Sequence, residues 1–232
     1  MAKLPETTGY QKRYRYARKV VRRVRRLGHE TLAKNLETVA SLVKTVGREE
    51  EDAAEPVDDA LTDRDLADAA LDDVAKRARL DLASRSVAAA REEPYVSIFH
   101  SGIDYYISAP INEETKRYGE LRDRLVEYLP ETDPVRQEAV PKVEDGITAY
   151  RQAAKAVDDA NTAYSLVSTR LASAEQALDR QLEKTYGALI ESVGKAKADR
   201  CFPSVRKPKP KKAAPAKATA PELAPPAPQA LA

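Results

Sequence analysis

Every seventh residue from Val143 is apolar: Val143, Tyr150, Val157, Tyr164, Leu171 and Leu178. A companion series begins with Ile147 and Ala154 and then shifts to Ala160, Val167 and Ala174. Apolar residues in heptad register form one narrow seam on a helix that packs lengthwise against other helices. Proline is absent from Lys142 to Phe202, so nothing in that stretch removes a helical hydrogen bond. At ~1.5 Å per residue, a helix of that extent reaches on the order of 85 Å. The expected fold is all-α: an elongated, coiled-coil-like antiparallel bundle of three to four long helices.

The composition agrees with a thin bundle. The chain has 232 residues, of which 42% are hydrophobic, yet it holds two phenylalanines and no tryptophan. A core one seam wide needs few large side chains. Charged residues make up 33% and glycines number 8, as expected of long, surface-exposed helices.

Taken in order, the first helix is expected after Pro5, with Thr7 or Thr8 as cap. Tyr10, Tyr14, Ala17, Val21 and Val24 form its stripe, and Leu32, Leu36, Val39, Val43 and Val46 resume it beyond Gly28. The two stripes are offset by a stutter, and the favoured form is one helix to about Gly47, bent at Gly28; a kink or a true break at Gly28 is the alternative. The acidic run from Arg48 to Pro56 reads as a solvated connection. Thr62 and Asp65 approximate a capping box for a second helix, ending before Pro94. Residues 1–94 thus read as a basic-then-acidic helical hairpin turning near Ala53.

Residues 95–111 form an aromatic connector. Its local propensities allow a hairpin, but short helical turns are the favoured form. Residues 112–202 hold a shorter helix, Asn112 to Leu129, and the long heptad helix, introduced by Asp133 and Pro134. They are expected to pack with 1–94 as one bundle. Residues 203–232 contain eight of the fifteen prolines, with lysine and alanine, and are expected to be a disordered tail. In this arrangement the last helix outruns its partners. About 25 Å of seam would be left for a partner protein or a second copy.

The net charge of +2 conceals segregation. Gln11 to Arg26 holds nine basic residues and no acidic one: Lys12, Arg13, Arg15, Arg18, Lys19, Arg22, Arg23, Arg25 and Arg26. A hairpin turning near Ala53 sets them opposite residues 80–94, which are nearly neutral, so the positive charge stays mostly unpaired. Such a stretch binds a polyanion or an acidic partner, or is simply the solvated face of a helix. The tail adds Arg206, Lys207, Lys209, Lys211, Lys212 and Lys217, which read as a solubilising or tethering linker before a phosphate-binding arm. A membrane surface is a poor partner, because the apolar face lacks the Trp, Phe and Leu that anchor interfacial helices. Tyr10, Tyr14 and Tyr16 read as seam residues before base-stacking ones.

Metal and catalytic patterns are weak. Neither His29 nor His100 has a Glu three residues upstream, so the Glu-x-x-His ligand pattern of di-iron bundles is missing. His100 near Asp104 and Tyr105 reads as a hydrogen-bonded loop residue. Cys201, the single cysteine, reads as a bystander thiol and excludes an intramolecular disulfide or a cysteine-based zinc site. Asn161 is either a polar register-setting residue in the seam or an exposed flank residue. No cofactor is expected. With no apolar leader or spanning run, a cytoplasmic location is expected. The expected function is a non-catalytic structural or scaffold protein that binds a partner protein or itself. The alternative is a nucleoid- or DNA-associated protein using the basic first helix and basic tail for sequence-independent phosphate binding.

Overall fold

The computed structural model describes residues 4, 5 and 7–203. The protein is all-α, and no strand occurs among the described residues. The elements are α1 (Tyr10–Arg26), α2 (Glu30–Ala83), a 3-10 turn (Ala89–Arg91), α3 (Tyr95–Ile98), α4 (Asp104–Ile107), α5 (Glu114–Tyr128), α6 (Pro134–Val193) and α7 (Lys195–Cys201). The expected tail, 203–232, lies outside the described residues except for Pro203.

Two helices dominate. α6 has 60 residues and α2 has 54, which makes them ~90 Å and ~80 Å long. They lie side by side in opposite directions. Ser192 meets His29 (3.5 Å), Arg170 meets Glu49 (3.0 Å), Gly146 meets Leu71, and Asp133 meets Arg85 (2.6 Å). A methyl group on Gly146 would overlap the Leu71 side chain, so glycine is what lets the two helices close there. Asp133 caps α6 by accepting from the Val135 amide at 2.9 Å, with Pro134 in the first turn. Burial works against the Asp133 carboxylate, but Arg85 and that amide overcome it and hold its pKa below the usual range.

Several expectations from the sequence need correction. The anticipated bend at Gly28 is a reversal. Gly28 adopts a φ of 86°, where side chains are strained, and α1 folds back along the first half of α2. The hairpin therefore turns at Gly28 and not near Ala53. Arg48 to Pro56 is not a connection but helix, and Thr62 lies inside α2, its hydroxyl donating to the Asp58 carbonyl at 2.9 Å. Pro56 sits mid-helix on an exposed face, where the carbonyl it leaves unbonded is open to water. α1 begins at a Gly9 cap without side-chain help from Thr7 or Thr8. Because α2 is one uninterrupted helix, it runs alongside α6 from end to end, and the expected uncovered length of seam does not exist. Two helices are long, and α1 and α5 are short partners at opposite ends.

Apolar packing is correspondingly divided. One core gathers Val20, Val24, Leu36, Val43, Leu178 and Leu189 from α1, α2 and α6, closed by Cys201 and Phe202 of α7 and its end. The other gathers Leu71, Leu82, Tyr106, Tyr118, Leu121 and Val143 from α2, α4, α5 and α6, and α3 adds Ile98. The connector 95–111 is thus two short helical turns over this second core. Between the cores, residues 48–70 and 151–170 form a bare two-helix waist in which only Ala60 and Val157 are buried.

Candidate polyanion-binding face

α1 is amphipathic at the level of single turns. Tyr16, Ala17, Val20, Val21 and Val24 face the core. Lys12, Arg15, Lys19, Arg22 and Arg26 recur at alternating spacings of three and four on the opposite side, and all five are exposed. That spacing places them in one straight stripe, ~21 Å long. Among the described residues, none of the five has a hydrogen bond or an ion pair with an acidic group.

The other four basic residues are engaged. Arg13 is buried and donates to both carboxylate oxygens of Asp179, at 2.8 and 2.9 Å, with Glu175 at 3.3 Å. Arg25 pairs with Glu30 and Glu37. Arg23 donates to the Arg200 carbonyl at 2.9 Å. Arg18 stands over the Tyr14 ring, 5.8 Å from its centroid. The acidic groups paired with the arginines of α1 therefore come from the first turns of α2 and the last third of α6, not from residues 80–94. They neutralise individual arginines and leave the stripe untouched.

A cleft of about 300 Å³ opens beside the stripe, between α1 and α2, lined by Tyr10, Gln11, Tyr14, Arg15, Arg18, Lys44 and Arg48. Lys44 and Arg48 come from α2 and were outside the sequence-based candidates, because their charge becomes meaningful only once the chain reverses at Gly28. Tyr10 lies against Gly47, where a methyl group would overlap its ring. Tyr10 and Tyr14 are half-buried parts of this interface, and Tyr16 is core.

The seam residues occupy one face of α6. Val143, Tyr150, Val157, Leu171 and Leu178 are buried, and Tyr164 is half-buried at the waist. Asn161 is exposed, so it sets no register in the seam. Arg206, Lys207, Lys209, Lys211, Lys212 and Lys217 lie outside the described residues.

The histidines hold no convergent chemistry. His29 approaches Ser192, and His100 is exposed between Ser101 (2.9 Å) and the Arg124 guanidinium. The Tyr105 ring meets His100 edge-on, 6.2 Å between centroids, and its hydroxyl donates to Glu120 at 2.7 Å. The Cys201 thiol is 3% exposed, and burial pushes its pKa up, the opposite of an activated thiolate.

One cluster escaped the sequence reading. Asp68 and Asp72, one turn apart on α2, meet Glu114 at the start of α5, with one oxygen from each within 4.8 Å of the others. Burial and the neighbouring Asp68 push the Glu114 carboxyl up to about 8, so it keeps a proton near neutrality. Asp72 accepts from Tyr118 at 2.7 Å and pairs with Lys76 at 2.9 Å. These contacts make the cluster a proton-sharing joint between α2 and α5. The i, i+4 aspartates were visible in the sequence; their partner 42 residues on was not.

Among the described residues, no helix is long and apolar enough to cross a membrane. No known protein family, curated protein or solved structure matches this chain.

Proposed function

We propose that this protein is a non-catalytic interaction protein, a long helical rod whose basic end binds the phosphate backbone of nucleic acid without reading sequence. The observation that carries this reading is the stripe Lys12, Arg15, Lys19, Arg22 and Arg26, five exposed cations in one line with no acidic partner among the described residues. Clustered like charges repel, and an anion relieves them. Over the ~21 Å of the stripe a duplex carries roughly 12 phosphates on its two strands together, at one charge per ~1.7 Å of axis, more than the five cations need. The paired long helices make the rest of the molecule a stiff spacer, in keeping with a scaffold role.

The test is binding of a random-sequence duplex followed by fluorescence anisotropy across a salt series. Five phosphate contacts give a slope of log affinity against log salt of about −4.5. Lys12→Gln, Lys19→Gln and Arg26→Gln together are expected to reduce that slope by about 2.7 units, independent of sequence. Absence of any retention on duplex DNA at ~50 mM salt removes the reading.

A further inference from the structure

We propose that the cleft between α1 and α2 is a discrete seat for a run of contiguous phosphate groups, held by Arg15 and Arg18 of α1 with Lys44 and Arg48 of α2. The proposal rests on reading this end of the rod as anion-binding, and it adds a bounded site, a ligand class and three residues outside the stripe, Arg18, Lys44 and Arg48.

The seat is built from two facing rows. Arg15 and Arg18 are three residues apart on α1, and Lys44 and Arg48 are four apart on α2, so each pair shares a helix face. The antiparallel hairpin brings the rows together, and the close approach of Tyr10 to Gly47 sets their separation. Tyr14 stands between them: the Arg18 guanidinium lies 5.8 Å and the Lys44 ammonium 5.3 Å from the centroid of the same ring. A cation held on an aromatic face is positioned without spending its hydrogen-bond donors. Those donors are what a phosphate oxygen takes, and arginine presents them as a planar fork.

Among the described residues, none of the four cations pairs with a carboxylate. Glu37 shares a neighbouring cleft with Arg18 but is already paired with Arg25 at 2.9 Å. Glu51 lies at one edge but is already taken, accepting from Gln11 at 3.1 Å and hydrogen-bonding the Tyr10 hydroxyl. At about 300 Å³ the cleft is small for a ligand site, and its walls are largely cationic. That combination fits a compact, multiply charged group and not an apolar ring system. The phosphate run comes either from a free linear oligophosphate or from a nucleic-acid strand.

The test uses the full chain with sodium tripolyphosphate as probe, followed by isothermal titration calorimetry at ~50 mM salt, with sodium sulfate at matched ionic strength as control. Saturable one-to-one binding is expected. Lys44→Gln with Arg48→Gln should weaken it about tenfold or more, while Lys12→Gln, Lys19→Gln and Arg26→Gln should leave it within about threefold. Circular dichroism establishes that each variant stays helical. The source of the phosphate is then read from duplex affinity. An unchanged duplex affinity in the α2 double variant assigns the seat to free oligophosphate, and a parallel loss assigns it to the nucleic-acid strand. The seat is overturned if tripolyphosphate acts no differently from sulfate, or if the α2 double variant binds like the native protein. If duplex binding persists in that case, the polyanion reading of the stripe stands and only the seat falls.

Discussion

Arg13 and Asp179 are 166 residues apart in the chain and joined by two hydrogen bonds, at 2.8 and 2.9 Å, that tie α1 to α6. Arg13 is 4% exposed, and its Nε also reaches the Thr8 carbonyl at 2.9 Å. It is therefore a structural residue within a helix whose other cations face solvent. Burial raises the Glu175 carboxyl, and Arg13 is the group that pulls it back down. Removing Arg13 leaves that carboxylate without its nearest cation. Arg13→Met is expected to destabilise the protein by about 2 kcal/mol, less than for a fully buried pair because Asp179 is partly solvated. Urea unfolding checks the value. Arg22→Met, on the exposed stripe, should shift the same curve by less than about 0.5 kcal/mol.

The joint between α2 and α5 is expected to weaken as pH rises. The Glu114 carboxyl sits at about 8 in the folded protein, against 4.5 ordinarily, because of burial and the adjacent Asp68. A raised pKa means that the fold prefers the protonated form. Its contribution is complete below pH 4.5 and is lost progressively as pH climbs through 8. Asp72, Tyr118, Tyr150 and Arg117 also face this site, and of these only Arg117 favours ionisation of Glu114. Glu114→Gln keeps a donor toward Asp68 and removes the titration. It should raise stability at pH 9 by on the order of 2 kcal/mol and flatten the profile between pH 5 and pH 9. An unaltered profile would locate the pH dependence elsewhere.

How much of this was legible depended on whether a signal was local. The α6 seam was, because a heptad of Val143, Tyr150, Val157, Leu171 and Leu178 has few other physical explanations. The cap at Asp133 and the stop at Pro130 were legible for the same reason. The topology of the first half was not. The stripe of α1 and the stripe resumed at Leu32 are each continuous, and a reversal over Leu27, Gly28 and His29 is short enough to resemble a bend. The acids from Glu49 to Glu55 resemble a loop by charge, yet Glu and Ala are good helix formers and their solvated face needs no cover. Misplacing the turn from Gly28 to Ala53 displaced every facing residue. It left the stripe unpaired for the wrong reason, hid Lys44 and Arg48 from the cleft, and implied an uncovered seam that α2 in fact covers. Asp68, Asp72 and Glu114 could not be joined without that register.

Two buried tyrosines are expected to respond oppositely to loss of the hydroxyl. Tyr106 donates to the Ile98 carbonyl at 2.9 Å beneath the α3–α4 connector, and burial pushes its pKa to about 12. The Tyr16 hydroxyl is buried in the core that α7 closes and, among the described residues, has no hydrogen-bond partner. Tyr106→Phe should cost about 1–2 kcal/mol, because the Ile98 carbonyl is left without its donor. Tyr16→Phe should be neutral or stabilising by up to ~1 kcal/mol, since it removes an unsatisfied buried group and keeps the ring. Thermal unfolding of the two variants side by side measures the contrast; equal losses would mean that Tyr16 has a partner in solution.

The waist is expected to be the least protected part of the rod, and its stability should rise with salt. Only Ala60 and Val157 are buried there, whereas each end is closed by a third helix. Its α2 face also carries Asp52, Glu55, Asp58, Asp59 and Asp63, all exposed and, among the described residues, without an ion pair. Asp52, Glu55, Asp59 and Asp63 recur at spacings of three and four, so these like charges share one side of the helix and repel. Few buried contacts and exposed helical hydrogen bonds define a segment that opens locally. Hydrogen exchange should be faster for amides of residues 52–63 than for those around Leu36 or Leu121. Raising salt from ~20 to ~200 mM shortens the range of the repulsion and should slow exchange at the waist more than at either end. Val157→Asp, which puts a charge into the thin seam, should uncouple the two cores and split a single thermal transition into two. Uniform protection along α2, unmoved by salt, would show instead that the two cores and the waist open as one cooperative unit.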